Sequence, residues 1–215
     1  SSDLRLAMEN GDFEYAVLAL VVRMMDQLDS GLDLDTLQSE LREYHGAIKQ
    51  LRQGHTLDYV DIYLQFCENM RGKAKDPTVL IGKYYDIEAK RQEHEKTGDK
   101  SLIVIDHDMT LLTRYLFGDV KGALIEANAI SVDDASIAGF FMSARMTLLD
   151  TLIRFANVPG ATRKERRTLM RKAAGNQAKM KAWSISNPDN FRNKYCLIEA
   201  ERLRIMEQGL EAHPW

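Results

Sequence analysis

Tyr115-Leu116-Phe117-Gly118-Asp119-Val120-Lys121-Gly122-Ala123-Leu124-Ile125-Glu126-Ala127-Asn128-Ala129-Ile130 is the stretch that decides the fold. An apolar helix end runs into Gly118, and a small-residue helix rich in Ala123, Ala127 and Ala129 follows at once. Glycine supplies the left-handed backbone of a tight turn, Asp caps the next helix, and alanine lets that helix lie close against its predecessor. The stretch therefore predicts the turn of an antiparallel helical hairpin. The same grammar recurs at Asn10-Gly11-Asp12-Phe13-Glu14-Tyr15-Ala16, with Ala16 five residues after Gly11 as Ala123 is after Gly118, and more faintly at Gly209-Leu210-Glu211-Ala212.

Composition agrees with an all-helical chain. The 215 residues include only four prolines, are 45% hydrophobic, and are rich in Ala, Leu, Met, Glu, Gln, Lys and Arg. A net charge of −3 argues against a chain built as a whole to bind nucleic acid. The charge is uneven: ten acids against three bases from Ser1 to Glu43, and eight bases against the single acid Glu165 from Ala161 to Trp183. Cys67 and Cys196 each fall in an apolar helical pattern without paired spacing, so both are expected as buried, reduced thiols of a cytoplasmic protein. The longest uninterrupted apolar run, Tyr15 to Val22, is far short of the roughly 20 residues of a membrane span, and no membrane contact is expected. Ser1-Ser2 and Pro214-Trp215 look like cut ends, so a single helical domain over 1–215 is expected to be a segment of a longer polypeptide.

In chain order, a helix ending near Met8 leads to one over Phe13 to Leu28, whose apolar face is wide enough to demand cover on two sides. Asp35 with Gln38 is a candidate capping box for a one-sided helix carrying Leu37, Leu41, Tyr44 and Ile48. Gly54 closes that helix. Thr56 caps the next, over Leu57 to Met70, whose two offset apolar stripes mark an inner helix. Asp76-Pro77 reads as cap plus first-turn proline of a helix running through Leu80, Tyr84 and Ile87 into a solvated tail, Lys90 to Lys96, ended by Gly98. Ser101 to Phe117 holds the β-branched run Leu102-Ile103-Val104-Ile105, but the helical spacing that follows assigns it to helix. Ser131 with Asp134 starts a long helix through Ile137, Phe140 and Leu152 that Val158-Pro159-Gly160 breaks. Thr162 with Glu165 forms a capping box for a basic helix, and Asn187-Pro188 starts the last one. The sum is about ten helices in antiparallel hairpins, stacked as an α-solenoid. Gly11 to Gly118 is 107 residues and Gly118 to Gly209 is 91, neither a multiple of about 34, so the hairpins are unequal.

Three stretches carry a family resemblance: Gly11-Asp12-Phe13-Glu14-Tyr15-Ala16, Tyr115-Leu116-Phe117-Gly118-Asp119, and Asn187-Pro188-Asp189-Asn190-Phe191-Arg192-Asn193-Lys194-Tyr195 with Glu199-Ala200-Glu201. In this order they resemble the tetratricopeptide-like helical-repeat region of large signalling proteins, which place it after an AAA-type ATPase and before sensor and output domains. Those outputs are histidine kinases in the multi-sensor hybrid kinases and nucleotide cyclases in other members. The resemblance implies a non-catalytic, cofactor-free connector. No phosphate-binding loop of the form Gly-x-x-x-x-Gly-Lys-Ser/Thr occurs in the chain, and ATP hydrolysis is not assigned to it.

The expected role is a scaffold for protein contacts, with other domains of its parent chain or with a signalling partner, and self-association through open ends is a further expectation. Its candidate contact residues are Arg163, Arg166, Arg167 and Arg171 on the basic helix, with Asn190 and Lys194 on the last. The structural hairpin residues are Gly11, Ala16, Gly118 and Ala123. Two alternatives stand beside it. Arg163, Arg166, Arg167, Arg171 and Lys172 could neutralise phosphates of a nucleic acid, though no aromatics are interleaved for base stacking. His107-Asp108 could anchor a metal phosphohydrolase by recruiting His94 and Asp133 or Asp134, yet His94 lies in a charged run expected to be exposed, and no histidine spacing supports a ligand set.

Overall fold

The computed structural model describes residues 13–50, 54–131 and 139–211. Within them the protein is all-α, with nine helices: α1 (Phe13–Asp29), α2 (Leu34–Gln50), α3 (Gly54–Met70), α4 (Ile87–Thr97), α5 (Lys100–Leu116), α6 (Val120–Ala129), α7 (Met142–Ala156), α8 (Arg163–Ser186) and α9 (Pro188–Glu211). The helix ending near Met8, Gly11 and the Ser131/Asp134 start through Ile137 lie wholly or partly outside the described residues.

The hairpin at Gly118 forms as its sequence predicts. Gly118 takes a φ of 81°, a left-handed backbone that costs other residues strain. Asp119 then accepts a hydrogen bond from the Gly122 amide at 2.9 Å and caps α6. A Cβ at Gly122 would lie 2.0 Å from Asp119 Oδ2 and 2.2 Å from an Arg114 guanidinium nitrogen, so a larger residue there would displace the Arg114–Asp119 pair. Ala123 and Ala127 are buried where α6 lies on α5, whereas Ala129 is exposed. Ala16 is fully buried on α1. Gly209, by contrast, lies within α9 and makes no turn.

Two cores are joined through α7. The larger runs from Leu20, Met24 and Leu37 through Tyr63 and Leu64 to Met109 and Ile153, and the smaller gathers Phe155, Leu169, Met180 and Ile198. Helix α3 is the inner helix its two stripes predict, buried on every side from Ile62 to Asn69 and packed against α1, α2 and α5. Helix α2 buries Leu37, Leu41 and Ile48 and turns its charged face outward. Contacts also reach beyond chain neighbours, since α1 packs on α7.

Several boundaries differ from the sequence expectation. Asp33, not Asp35, caps α2, accepting from the Thr36 amide at 2.9 Å, and Gln38 points inward. Thr56 lies inside α3, which is described from Gly54, so it is not the cap, and the close of α2 over 51–53 lies outside the described residues. Asp76-Pro77 starts no helix. Asn69 donates to the carbonyls of Pro77 (3.1 Å) and Val79 (2.6 Å), and Gln65 accepts from the Tyr84 amide. These side chains of α3 hold 71–86 as a loop, closed by the bridge between Ile81 and Asp86, and Asp86 caps α4 instead. Phe140 and Phe141 precede α7 rather than lie in it. On α1, Tyr15 and Leu18 are 68% and 55% exposed, short of the cover on two sides that the wide apolar face predicts.

Candidate interaction surface

Helix α8 starts on the predicted capping box: Glu165 accepts from the Thr162 amide at 2.8 Å, and Thr162 Oγ1 accepts from the Glu165 amide at 3.3 Å. Leu169, Ala173, Asn176 and Met180 recur at three- and four-residue steps and face inward. This register leaves Arg163, Lys164, Arg166, Arg167, Arg171 and Lys172 exposed on a single helix. In the last turn of the helix, at the edge of the smaller core, Trp183 lies against Phe191, which stacks on Phe141 at 5.9 Å, so these aromatics serve packing.

The six residues predicted to bind a partner do not converge. Asn190 sits in the first turn of α9 beside the far end of α8, about 35 Å from Arg163 at 1.5 Å rise per residue. Lys194 is half-buried, donates to the Asn190 carbonyl at 2.9 Å and lies 5.0 Å from the Phe141 ring centre. Glu199 and Glu201 are engaged locally by Arg202 and Arg204, pairs worth only tenths of a kcal/mol each. Of the six, only the four arginines of α8 lie together on one element.

The histidines are placed differently from expectation. His94 is 2% exposed rather than solvated. Its Nδ1 is 2.7 Å from Asp106 on α5 and its Nε2 3.1 Å from Asp58 on α3, so both ring nitrogens face carboxylates. Burial works to lower its pKa, but those two hydrogen bonds outweigh it and hold the imidazolium above the usual histidine range. Tyr85 donates to the second Asp106 oxygen at 2.5 Å, and Lys90 flanks Asp58 at 3.1 Å. His107 and Asp108 diverge. His107 meets Glu126 on α6 at 2.7 Å, beside Arg91 at 3.2 Å, whereas Asp108 binds Arg145 on α7. Among the described residues, no three His, Cys, Asp or Glu side chains form a group that could hold a metal ion. Asp133 and Asp134 lie outside those residues.

Arg145 ties three helices. It donates to Asp29 of α1 at 2.6 Å and to Asp108 of α5 from its own place on α7. Burial pushes the Asp29 carboxyl up to about 6 against the pull of Arg145, and raises Asp108 as well. Tyr63 Oη, Asp29 Oδ2, Asp108 Oδ1 and Arg145 Nε remain buried there without a hydrogen-bond partner. A second knot binds α6, α7 and α8. Arg154 grips Asp150 through Nε (2.7 Å) and a terminal nitrogen (2.6 Å), and Asn176 donates to the same carboxylate at 2.5 Å. Sequence reasoning missed both knots because Asp29 and Arg145 are 116 positions apart, and Asp150 and Asn176 are 26 apart. The i,i+4 pair Asp150/Arg154 was the one local signal. Cys67 is buried as expected, and burial pushes its thiol up to about 12. Cys196 is exposed on the outer side of α9.

No protein-family model matches the chain, and no curated protein or solved structure does either. No described helix is long and apolar enough to cross a membrane.

Proposed function

We propose that this protein is a non-catalytic helical-repeat scaffold, a tetratricopeptide-like solenoid of unequal hairpins that holds other domains of a cytoplasmic signalling polypeptide, or a partner protein, in a set arrangement. The basic face of α8 carries the proposal. One side of the helix is locked into the core by Leu169, Ala173, Asn176 and Met180, and the other offers exposed arginines that a rigid element presents to an acidic neighbour. The interior titratable groups fit the same role. Asp58, His94, Asp106, Glu126, Asp29 and Arg145 are spent on joining one helix to another. Paired arrangements of this kind resist sliding between helices, which suits an element that transmits position.

A photo-crosslinking residue placed at Arg166 or Arg167 in the native polypeptide tests this. The expected adducts are acidic segments of other domains or of one partner protein, lost on Arg163→Glu with Arg166→Glu or Arg167→Glu at the uncrosslinked positions. Adducts to nucleic acid, or adducts confined to residues 13–211, overturn it.

A further inference from the structure

A cavity of about 470 Å3 opens between α4, α5 and α6 beside the 71–86 loop, a volume within the range of small-ligand sites. Its floor holds the guanidinium groups of Arg91 and Arg114 around the buried Glu126, and its rim carries the exposed acids Glu88 and Glu95. We infer that this cavity binds a free amino acid with a cationic side chain, of the lysine or arginine class, its carboxylate on the floor and its two cations at the rim.

The floor is the first argument. Arg91 of α4 and Arg114 of α5 both reach toward Glu126, Arg91 at 3.2 Å and Arg114 Nε at 3.8 Å, the latter beyond hydrogen-bond range. The Nε of each guanidinium is buried without a hydrogen-bond partner. Burial works to raise the Glu126 pKa, but the His107 hydrogen bond and the Arg91 charge outweigh it, so this carboxylate is already engaged. A buried donor left unmade costs free energy. A second carboxylate, brought by a ligand, is the acceptor that the two orphaned N–H groups lack.

The rim is the second, independent argument. Glu88 and Glu95 stand three residues before Arg91 and four after it, positions from which a helix neighbour pairs with an arginine. Arg91 turns inward instead, to Glu126 and Thr110. Both glutamates are left without a side-chain hydrogen bond or ion pair among the described residues. Acids therefore outnumber bases in the cavity wall, and Asp119, which takes Arg114 Nη1 at 2.8 Å, adds to the excess. A ligand that balances this wall brings one carboxylate and more than one cation. Glu88 and Glu95 are about 10 Å apart along the helix axis, so the two cations must be separated by several methylenes, for which Val79 and Ile87 offer apolar contact. Lysine and arginine meet all three conditions.

The inference does not rest on the scaffold proposal. It is tested by calorimetric titration of the 215-residue chain with L-lysine and with L-arginine at constant ionic strength. Saturable binding at one site is expected. Cadaverine lacks the carboxylate, norleucine the side-chain cation and Nα-acetyl-lysine the α-ammonium, and each binds at least fivefold more weakly than the better of the two amino acids. Glu88→Gln with Glu95→Gln, both at exposed positions, weakens binding at least tenfold without lowering the melting temperature, which separates a lost site from a misfolded one. Arg114→Met weakens binding as well. Glu93→Gln makes one such charge change elsewhere on α4 and leaves binding within twofold. Absence of saturable binding by both amino acids, binding that survives the double glutamine change, or equal weakening by Glu93→Gln overturns the site. Equal binding of cadaverine, norleucine or Nα-acetyl-lysine overturns it too, the last by assigning the cavity to peptide ends.

Discussion

Arg145→Met should cost this protein about 3–5 kcal/mol at neutral pH, the usual penalty for stripping the partner from buried charges. The guanidinium sits between Asp29 of α1 and Asp108 of α5, both nearly out of solvent. Without it each carboxylate must either stay charged in the core or take up a proton. Protonation sets a ceiling: holding a carboxyl neutral at pH 7 when its unfolded pKa is about 3.9 costs about 4 kcal/mol, at 1.36 kcal/mol per unit. At pH 5 the same ceiling falls to about 1.5 kcal/mol per group. Urea unfolding followed by circular dichroism at pH 7 and pH 5 should therefore show a large destabilisation that shrinks by about 2 kcal/mol or more at the lower pH. Asp29→Asn combined with Arg145→Met should cost less than the sum of the two single changes. A loss below about 1 kcal/mol at pH 7, or an equal loss at both pH values, would refute the view that this cluster clamps α1 to the body.

The unaltered protein should melt at a higher temperature at pH 5 than at pH 8. Asp29 has a folded pKa near 6, above its unfolded value, so its share of stability declines as pH climbs from about 4 to 6. His94, also raised, contributes fully below about 6.5 and loses that share as pH passes its folded pKa, so His94→Gln should flatten the upper part of the slope. Gly118→Ala should cost about 1–2 kcal/mol in urea melts, because alanine must adopt a φ of 81° there although space around it is open. Thr162→Ala should cost about 1 kcal/mol through the lost capping box, with amide exchange speeding up in the first turn of α8 and not in α9.

What the sequence disclosed was whatever is written in near neighbours. Gly118-Asp119 announced its hairpin, Thr162 and Glu165 their box, and the double stripe of α3 its central place, because turn and cap chemistry acts over three or four residues and periodicity over one helix. Asp76-Pro77 misled for the same reason. A local cap signal was overridden by Asn69 and Gln65, side chains from the preceding helix that hold Pro77, Val79 and Tyr84 in a loop. His94 looked solvated among charged neighbours, and only Asp58 and Asp106, 36 and 12 positions away, give it a reason to be buried. Of the candidate contact surface, the exposure of Arg163, Arg166, Arg167 and Arg171 followed from one helix's register. That Asn190 and Lys194 stand at the opposite end of the hairpin did not, since it depends on helix length and on how α9 folds back.

The bond between Asp29 and Arg145 spans 116 positions of chain. On a ribosome adding about 5–20 residues per second, the carboxylate of α1 waits roughly 6–23 s before its guanidinium partner is even synthesised. Until then the carboxyl has no reason to leave water, and α1 can do no more than rest loosely on α2 and α3. Synthesis thus imposes an order: the middle hairpins consolidate first, and α1 is seated only when α7 has emerged.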